Sequence, residues 1–362
     1  MLFFIVVVLF KATACAETNG GEDGQLAGDP SNLVVQVSVE NEKNLSINAS
    51  ADNAVHYQFI IVGSNVPLQI NTTGRFEHTF TRSGSYSIDV RAFGASGRFL
   101  REEVVVDINI LEQGYTTPMQ YDGYTLVWND EFSGSTINSD YWVFETGTGC
   151  PNLCGWGNDE LQYYRSQNAW VDGGVLIIEA RRENFGGRQF TSARMKTQGR
   201  QSFQYGRIDI RALLPRGQGM WPATWMLGDN ITTIGWPRSG EIDIMEMVGG
   251  GGKENTVHGT VHWHTDRHVH AGGSHTLSSG TFADTYHVFS IVWDETVIRF
   301  MVNDIQYYVI NITPEHMTEF HQRFFFIFNI AVGGRWPGSP DATTIFPQQM
   351  RVDYVRVFQR NS

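Results

Sequence analysis

Apolar and polar positions alternate with period two along most of this chain. In "SYSIDVRA", Tyr86, Ile88, Val90 and Ala92 fall on one face, and Ser85, Ser87, Asp89 and Arg91 on the other. That is the pattern of a half-buried strand. "LVVQVSV", "HYQFIIV" and "EVVVDINI" are similar runs, separated by Gly, Ser and Asn turns, so residues 32–112 are predicted to form a small β-sandwich. A connection, "EQGYTTPMQ", leads to a second and longer set from Tyr121 onward. It includes "YTLVWNDEF", "GVLIIEARRE", "YGRIDIRALL", "EIDIMEMV", "TVHGTVHWH", "RFFFIFNIAV" and "MRVDYVRVFQ". No convincing helical period interrupts them. Regularly spaced strands over 121–362 predict a large antiparallel sandwich, and the fold class is all-β.

The N-terminus departs from this alternation. An apolar run from Leu2 to Phe10 precedes Ala14-Cys15-Ala16, which predicts a secretory signal peptide over residues 1–16; the run is too short to span a bilayer. Residues 17–31 are Gly-rich and acidic and are expected to be a disordered linker. Cleavage leaves Cys150 and Cys154, whose spacing in an oxidising compartment predicts a local disulfide. Asn44, Asn48, Asn71, Asn230 and Asn311 lie in glycosylation acceptor triplets.

Charge then narrows the ligand. A net charge of −12 with no long basic run argues against nucleic acid and against an anionic membrane. A neutral ligand fits best. All ten tryptophans lie between Trp128 and Trp336, so the two predicted domains have different tasks.

The departure that carries chemistry is "GEIDIMEMVG", residues 240–249, which puts three carboxylates into an apolar strand. Burying unpaired carboxylates is costly, so such clusters are avoided or used. Glu241 and Asp243 share a strand face, whereas Glu246 would point the opposite way. One extra residue, a β-bulge between Asp243 and Glu246, would return Glu246 to the shared face and leave Ile242 and Ile244 toward the core. Two glutamates so placed could approach the spacing of about 5–5.5 Å used in double-displacement glycoside hydrolysis. Glu241 would be the nucleophile, Glu246 the acid/base, and Asp243 the group that positions Glu241 and keeps Glu246 protonated. An acidic solvent face is the plainer reading of the decapeptide alone.

Its surroundings favour the chemistry. "YGRIDIRALLPRGQGMWPATWMLGDN", "GWPRSGEIDIMEMVG", "VHGTVHWH", "FNIAVGGRWPG" and "QMRVDYVRVFQ" together resemble glycoside hydrolase family 16, and within it the endo-β-1,3-glucanases (laminarinases) with a bulged E-x-D-x-x-E motif. "GNDELQYY" is similar to an upstream family segment. The resemblance covers roughly residues 121–362 and implies a β-jelly roll (concanavalin A-like) with a glucan cleft on its concave face. It also implies the same roles for Glu241, Asp243 and Glu246. "FTRSGSYSIDVRAFGASG", residues 80–97, resembles PKD-type immunoglobulin-like modules, a spacer or a binding module.

A neutral glucan offers hydroxyls and apolar faces, so aromatic platforms with amide and Arg donors are expected. Trp221 and Trp225 share a strand face if extended, and the resemblance places them along the cleft. Trp236 and Trp336 sit in loop contexts as rim platforms, and Asn158, Arg194 and Asn329 are further hydroxyl contacts. Six histidines crowd residues 258–275. His258, His262 and His264 share a strand face, and the family pattern puts His262 beside the carboxylates, while His268, His270 and His275 are expected in a solvated Gly-rich loop. The resemblance also implies a structural calcium away from catalysis, held by Glu131, Asp353 and the Gly174 carbonyl. No organic cofactor is implied, and a monomer is expected. The implied function is a secreted retaining endo-β-1,3-glucanase. Its rivals are a non-catalytic β-1,3-glucan recognition protein of innate immunity and a glucan transglycosylase.

Overall fold

A computed structural model describes residues 6–11, 28–40, 44–63, 67–80, 84–108 and 114–361. The chain divides into two compact units, Met1–Glu112 and Gln113–Ser362.

The first unit contains two four-stranded sheets. One pairs Val6–Lys11, Ser31–Glu40, Asn44–Asp52 and Arg75–Thr79; the other orders Gln69–Asn71, Ala54–Ile61, Gly84–Gly94 and Phe99–Ile108. Val35, Ile47, Phe59, Ile88, Val90 and Val104, inward positions of the period-two pattern, are fully buried. Val6–Lys11, in the apolar stretch read as a leader, pairs antiparallel with Ser31–Glu40 as an edge strand. Apolar residues of this kind suit a strand as well as a leader. The linker expected at 17–31 lies outside the described residues except for its last few, and Ser31 already begins a strand.

The second unit is a sandwich of two larger sheets. The site-bearing sheet has seven strands, labelled here in chain order: β1 Val143–Glu145, β2 Arg194–Lys196, β3 Met220–Gly228, β4 Glu241–Glu246, β5 Thr256–His264, β6 His268–Thr276 and β7 Phe324–Val332. Their spatial order is β1-β2-β7-β3-β4-β5-β6, antiparallel throughout. Ten strands make the second sheet, with Gly206–Leu213 and Gln348–Arg360 paired near its centre.

Alternation sorts each strand into a core face and a site face. Met226, Ile242, Phe326, Phe328 and Ile330 join Ile208, Ile210, Phe289, Ile291, Val355 and Val357 in one buried cluster between the sheets. Burying a side chain of this size stabilises by about 1.5–3 kcal/mol, so the core holds the site sheet rigidly. Within β3 and β7 the alternate residues Trp221, Ala223, Trp225 and Asn329 are left for the opposite face.

Candidate active site

The bulge expected in "EIDIME" is present. Against β5, Asp243 pairs with Thr260 and Glu246 with His258, so three steps on β4 match two on its partner. Against β3, Met245 pairs with Thr224 and Asp243 with Trp225, which makes Ile244 the extra residue. Ile242, Ile244 and Met245 all enter the core, leaving Glu241, Asp243 and Glu246 together. Gly240, at φ +72°, delivers the chain into this strand; a Cβ there would meet Glu319 and the Phe324 ring at 2.9 Å.

Register aligns the other site residues. Glu145, Arg194, Asn329, Ala223, Glu246 and His258 are successive cross-strand partners, a single row across β1, β2, β7, β3, β4 and β5. Glu241 pairs with His262, and His262 with His270, in a second row.

Each glutamate accepts an indole hydrogen bond. Trp236 Nε1–H donates to Glu241 Oε2 at 3.0 Å, and Trp221 Nε1–H to Glu246 Oε1 at 3.0 Å. His262 Nε2 lies 3.1 Å from Asp243 Oδ2 and 3.6 Å from Glu241 Oε1. Burial raises Glu241, Asp243 and Glu246, each to about 8. The charge of Asp243 raises both glutamates further, while His262 and the indole bonds pull them down. Glu241 has the imidazole nearer and is the better place for negative charge. A cluster in which one carboxyl keeps its proton beside an ionised neighbour has the two protonation states that acid/base chemistry needs.

The aromatic platforms are where alternation puts them. Trp221 and Trp225 lie on the site face, and Trp336 packs edge-on against Trp221 with centroids 5.5 Å apart. Trp236 and Trp336 are exposed, at 49% and 43%. Exposed indoles beside half-buried carboxylates suit a sugar ring.

Behind Trp225 runs a polar chain. Its Nε1–H donates to Asn329 Oδ1 at 2.8 Å, Asn329 Nδ2 to the Tyr164 hydroxyl at 3.2 Å, and that hydroxyl to Glu160 Oε2 at 3.0 Å. Gln162 and Asn158 also donate to Glu160. Burial pushes this carboxyl up, against the opposing pull of Arg194 and the donors. Arg194 is buried, ion-paired to Glu145 at 2.5 Å, with Trp156 and Trp225 over its guanidinium at 4.7 and 4.8 Å. It supports Trp225, and Asn158 and Asn329 are engaged in the same network. The Cys150–Cys154 disulfide is formed and pins the loop that carries Trp156 and Asn158.

One expectation is revised. The histidines assigned to a solvated loop, His268, His270 and His275, belong to β6, which pairs antiparallel with β5 from His264 opposite His268 to Thr256 opposite Thr276. Glycines at 272 and 273 masked the alternation of that strand. His268 Nε2 lies 2.8 Å from His262 Nδ1. The residues proposed for calcium do not fit a cation as arranged: Glu131 gives both carboxylate oxygens to Arg356, and Asp353 pairs with Arg211 at 2.7 Å. Gly174 lies in a turn, at φ +78°. Trp156, Glu160, Tyr164 and His268 were not singled out from sequence. Glu160, Gln162 and Tyr164 are spaced i, i+2, i+4 in "GNDELQYY", and that period was the available signal.

The model of Glycosyl hydrolases family 16 matches residues 156–356. The chain belongs to this family. A Beta-glucanase from Rhodothermus marinus is 45% identical over 258 residues, covering 65% of this chain and 85% of that protein. The Clotting factor G alpha subunit of Tachypleus tridentatus is 43% identical over 238 residues; the match covers 65% of this chain but 34% of that longer protein. Among solved structures, the laminarinase catalytic domain from Thermotoga maritima matches with a TM-score of 0.62 and 43% identity, over 67% of this chain and all of that one. The family 16 β-jelly roll is thus the fold of the second unit.

Proposed function

We propose that this family 16 glycoside hydrolase is a retaining endo-β-1,3-glucanase that acts on laminarin-type glucans. The observation that carries the reading is the Ile244 bulge, which returns Glu246 to the face of Glu241 and Asp243, with an indole donor on each glutamate. The likeness to a laminarinase catalytic domain supports the substrate class.

In the first step the Glu241 carboxylate attacks the anomeric carbon. The glycosidic C–O bond breaks, and Glu246 gives its proton to the leaving oxygen. The Glu246 carboxylate then takes a proton from water, whose oxygen displaces Glu241, and both groups return to their starting states. Asp243 and His262 hold Glu241 between them. Trp236 and Trp336 provide faces for flanking sugar rings. The signal-like N-terminus and the disulfide support action outside the cell.

Both glutamates are present, which favours the enzyme over a recognition protein. The test is product analysis on laminarin, with Glu241→Gln and Glu246→Gln beside the wild type. Short oligosaccharides whose new reducing ends first appear as the β-anomer are expected, with losses of about 10³-fold or more in both variants. Binding of laminarin without cleavage would overturn the proposal, as would a first-formed α-anomer.

A further inference from the structure

We propose that Glu241, Asp243 and His262 form a binding site for a borderline transition-metal dication such as Zn2+, and that occupancy shuts the enzyme off. The inhibition rests on the catalytic role proposed for Glu241; the binding does not.

Three observations carry the site. First, one donor atom from each residue falls within a mutual distance of 4.8 Å, the one such His/Cys/Asp/Glu group among the described residues. Two of the separations are 3.1 Å, His262 Nε2 to Asp243 Oδ2, and 3.6 Å, His262 Nε2 to Glu241 Oε1. Zinc bonds of about 2.0–2.1 Å in a tetrahedron put neighbouring ligand atoms about 3.3 Å apart, so these two edges need little adjustment.

Second, Asp243, only 3% exposed, turns its buried Oδ2 toward His262 Nε2 at 3.1 Å, so when that nitrogen carries no proton the oxygen has no donor there. An acceptor left without a donor at that depth is costly, and a cation would relieve it. Third, the outer nitrogen of His262 already has a partner, since Nδ1 lies 2.8 Å from His268 Nε2. A proton donated from Nδ1 to His268 leaves Nε2 as a bare lone pair facing the carboxylates. An imidazole oriented by its second nitrogen is the usual arrangement of a metal ligand.

One nitrogen and two carboxylates suit zinc or copper better than calcium or magnesium, which take more oxygens. Two carboxylate charges neutralise the ion. Three protein ligands leave a fourth position for water, and the exposed Trp236 flank gives a path in. Bound there, the ion takes up the Glu241 oxygens and removes the nucleophile. Glu246 is no part of the set.

The test is calorimetric titration of the full metal-free chain with zinc chloride, with circular dichroism to establish that each variant is folded. One ion per chain is expected. Affinity should fall at least about tenfold in His262→Gln and in Asp243→Asn, and stay within about twofold in Glu246→Gln, which is inactive but keeps every ligand. Zinc should also stop laminarin cleavage by the wild type, and EDTA should restore it. Absence of saturable binding to the wild type would overturn the inference. So would loss of binding in Glu246→Gln, or unchanged binding in His262→Gln with loss in His270→Ala, which would move the site to the β6 imidazoles. A wild type that binds zinc but cleaves nothing defeats the glucanase reading and leaves the metal site standing; one that cleaves but binds no zinc does the reverse.

Discussion

Trp221 and Glu246 are joined by an indole hydrogen bond, Nε1–H to Oε1 at 3.0 Å, and Trp236 makes the same bond to Glu241. A donor aimed at a carboxylate favours its ionised form, so each bond lowers its glutamate. The two glutamates govern opposite limbs of the pH profile, because one must be ionised and the other protonated. Removing the Trp221 bond raises Glu246, so Trp221→Phe is expected to move the alkaline limb of kcat/KM upward. Trp236→Phe raises Glu241 and is expected to move the acidic limb upward instead. A profile of kcat/KM against pH for both variants checks this. Movement of the same limb in the two would contradict the division of roles.

The chain from Glu160 through Tyr164 and Asn329 to Trp225 predicts a different signature. Tyr164→Phe leaves a buried carboxylate oxygen and an amide N–H short of a partner, at a cost of about 1–2 kcal/mol. Melting temperature should fall by about 3–6 °C. Trp225 loses the bond that fixes Asn329, not a reacting group, so KM on laminarin should rise several-fold while kcat changes little. Steady-state kinetics and a melting curve on the same preparation read both effects.

Calcium gives a third expectation. Glu131 and Asp353 are neutralised by Arg356 and Arg211, so neither presents a free anionic pair. Adding millimolar calcium to metal-free protein should leave its melting temperature within about 1 °C, whereas a site of useful affinity would stabilise through mass action. A clear rise would mean that the arginines yield to the ion.

What could be read from sequence was whatever rests on period two. Alternation placed Trp221 and Trp225 on one face, and the mismatch of Glu246 with that period required the bulge that Ile244 supplies. Long-range pairing was not readable. The row from Glu145 through Arg194 and Asn329 to Glu246 joins residues far apart in the chain, fixed by register between strands. Buried networks were hidden for the same reason: Arg194 reads as a sugar donor until Glu145 and Trp156 are seen to occupy it. In β6, Gly272 and Gly273 interrupt the apolar pattern, so the strand has the composition of a loop.

The carboxylate cluster also sets a stability cost that can be measured. A carboxyl ionising near 4 in the unfolded chain and near 8 in the fold keeps its proton more tightly when folded. Its contribution to stability is therefore full below about pH 4 and is lost as pH rises through about 8. Replacing Asp243 by Asn removes one such group and the repulsion it exerts on both glutamates. At pH 8 the Asp243→Asn protein should be more stable than wild type by at least about 1 kcal/mol, seen as ~2–4 °C in melting temperature. At pH 4 the two proteins should melt together, because Asp243 is then neutral in the fold. The same substitution should lower laminarin cleavage, so stability gained at alkaline pH is matched by activity lost. Melting curves of both proteins from pH 4 to 8 decide it: parallel curves would mean that Asp243 ionises normally and that burial does not shape the cluster.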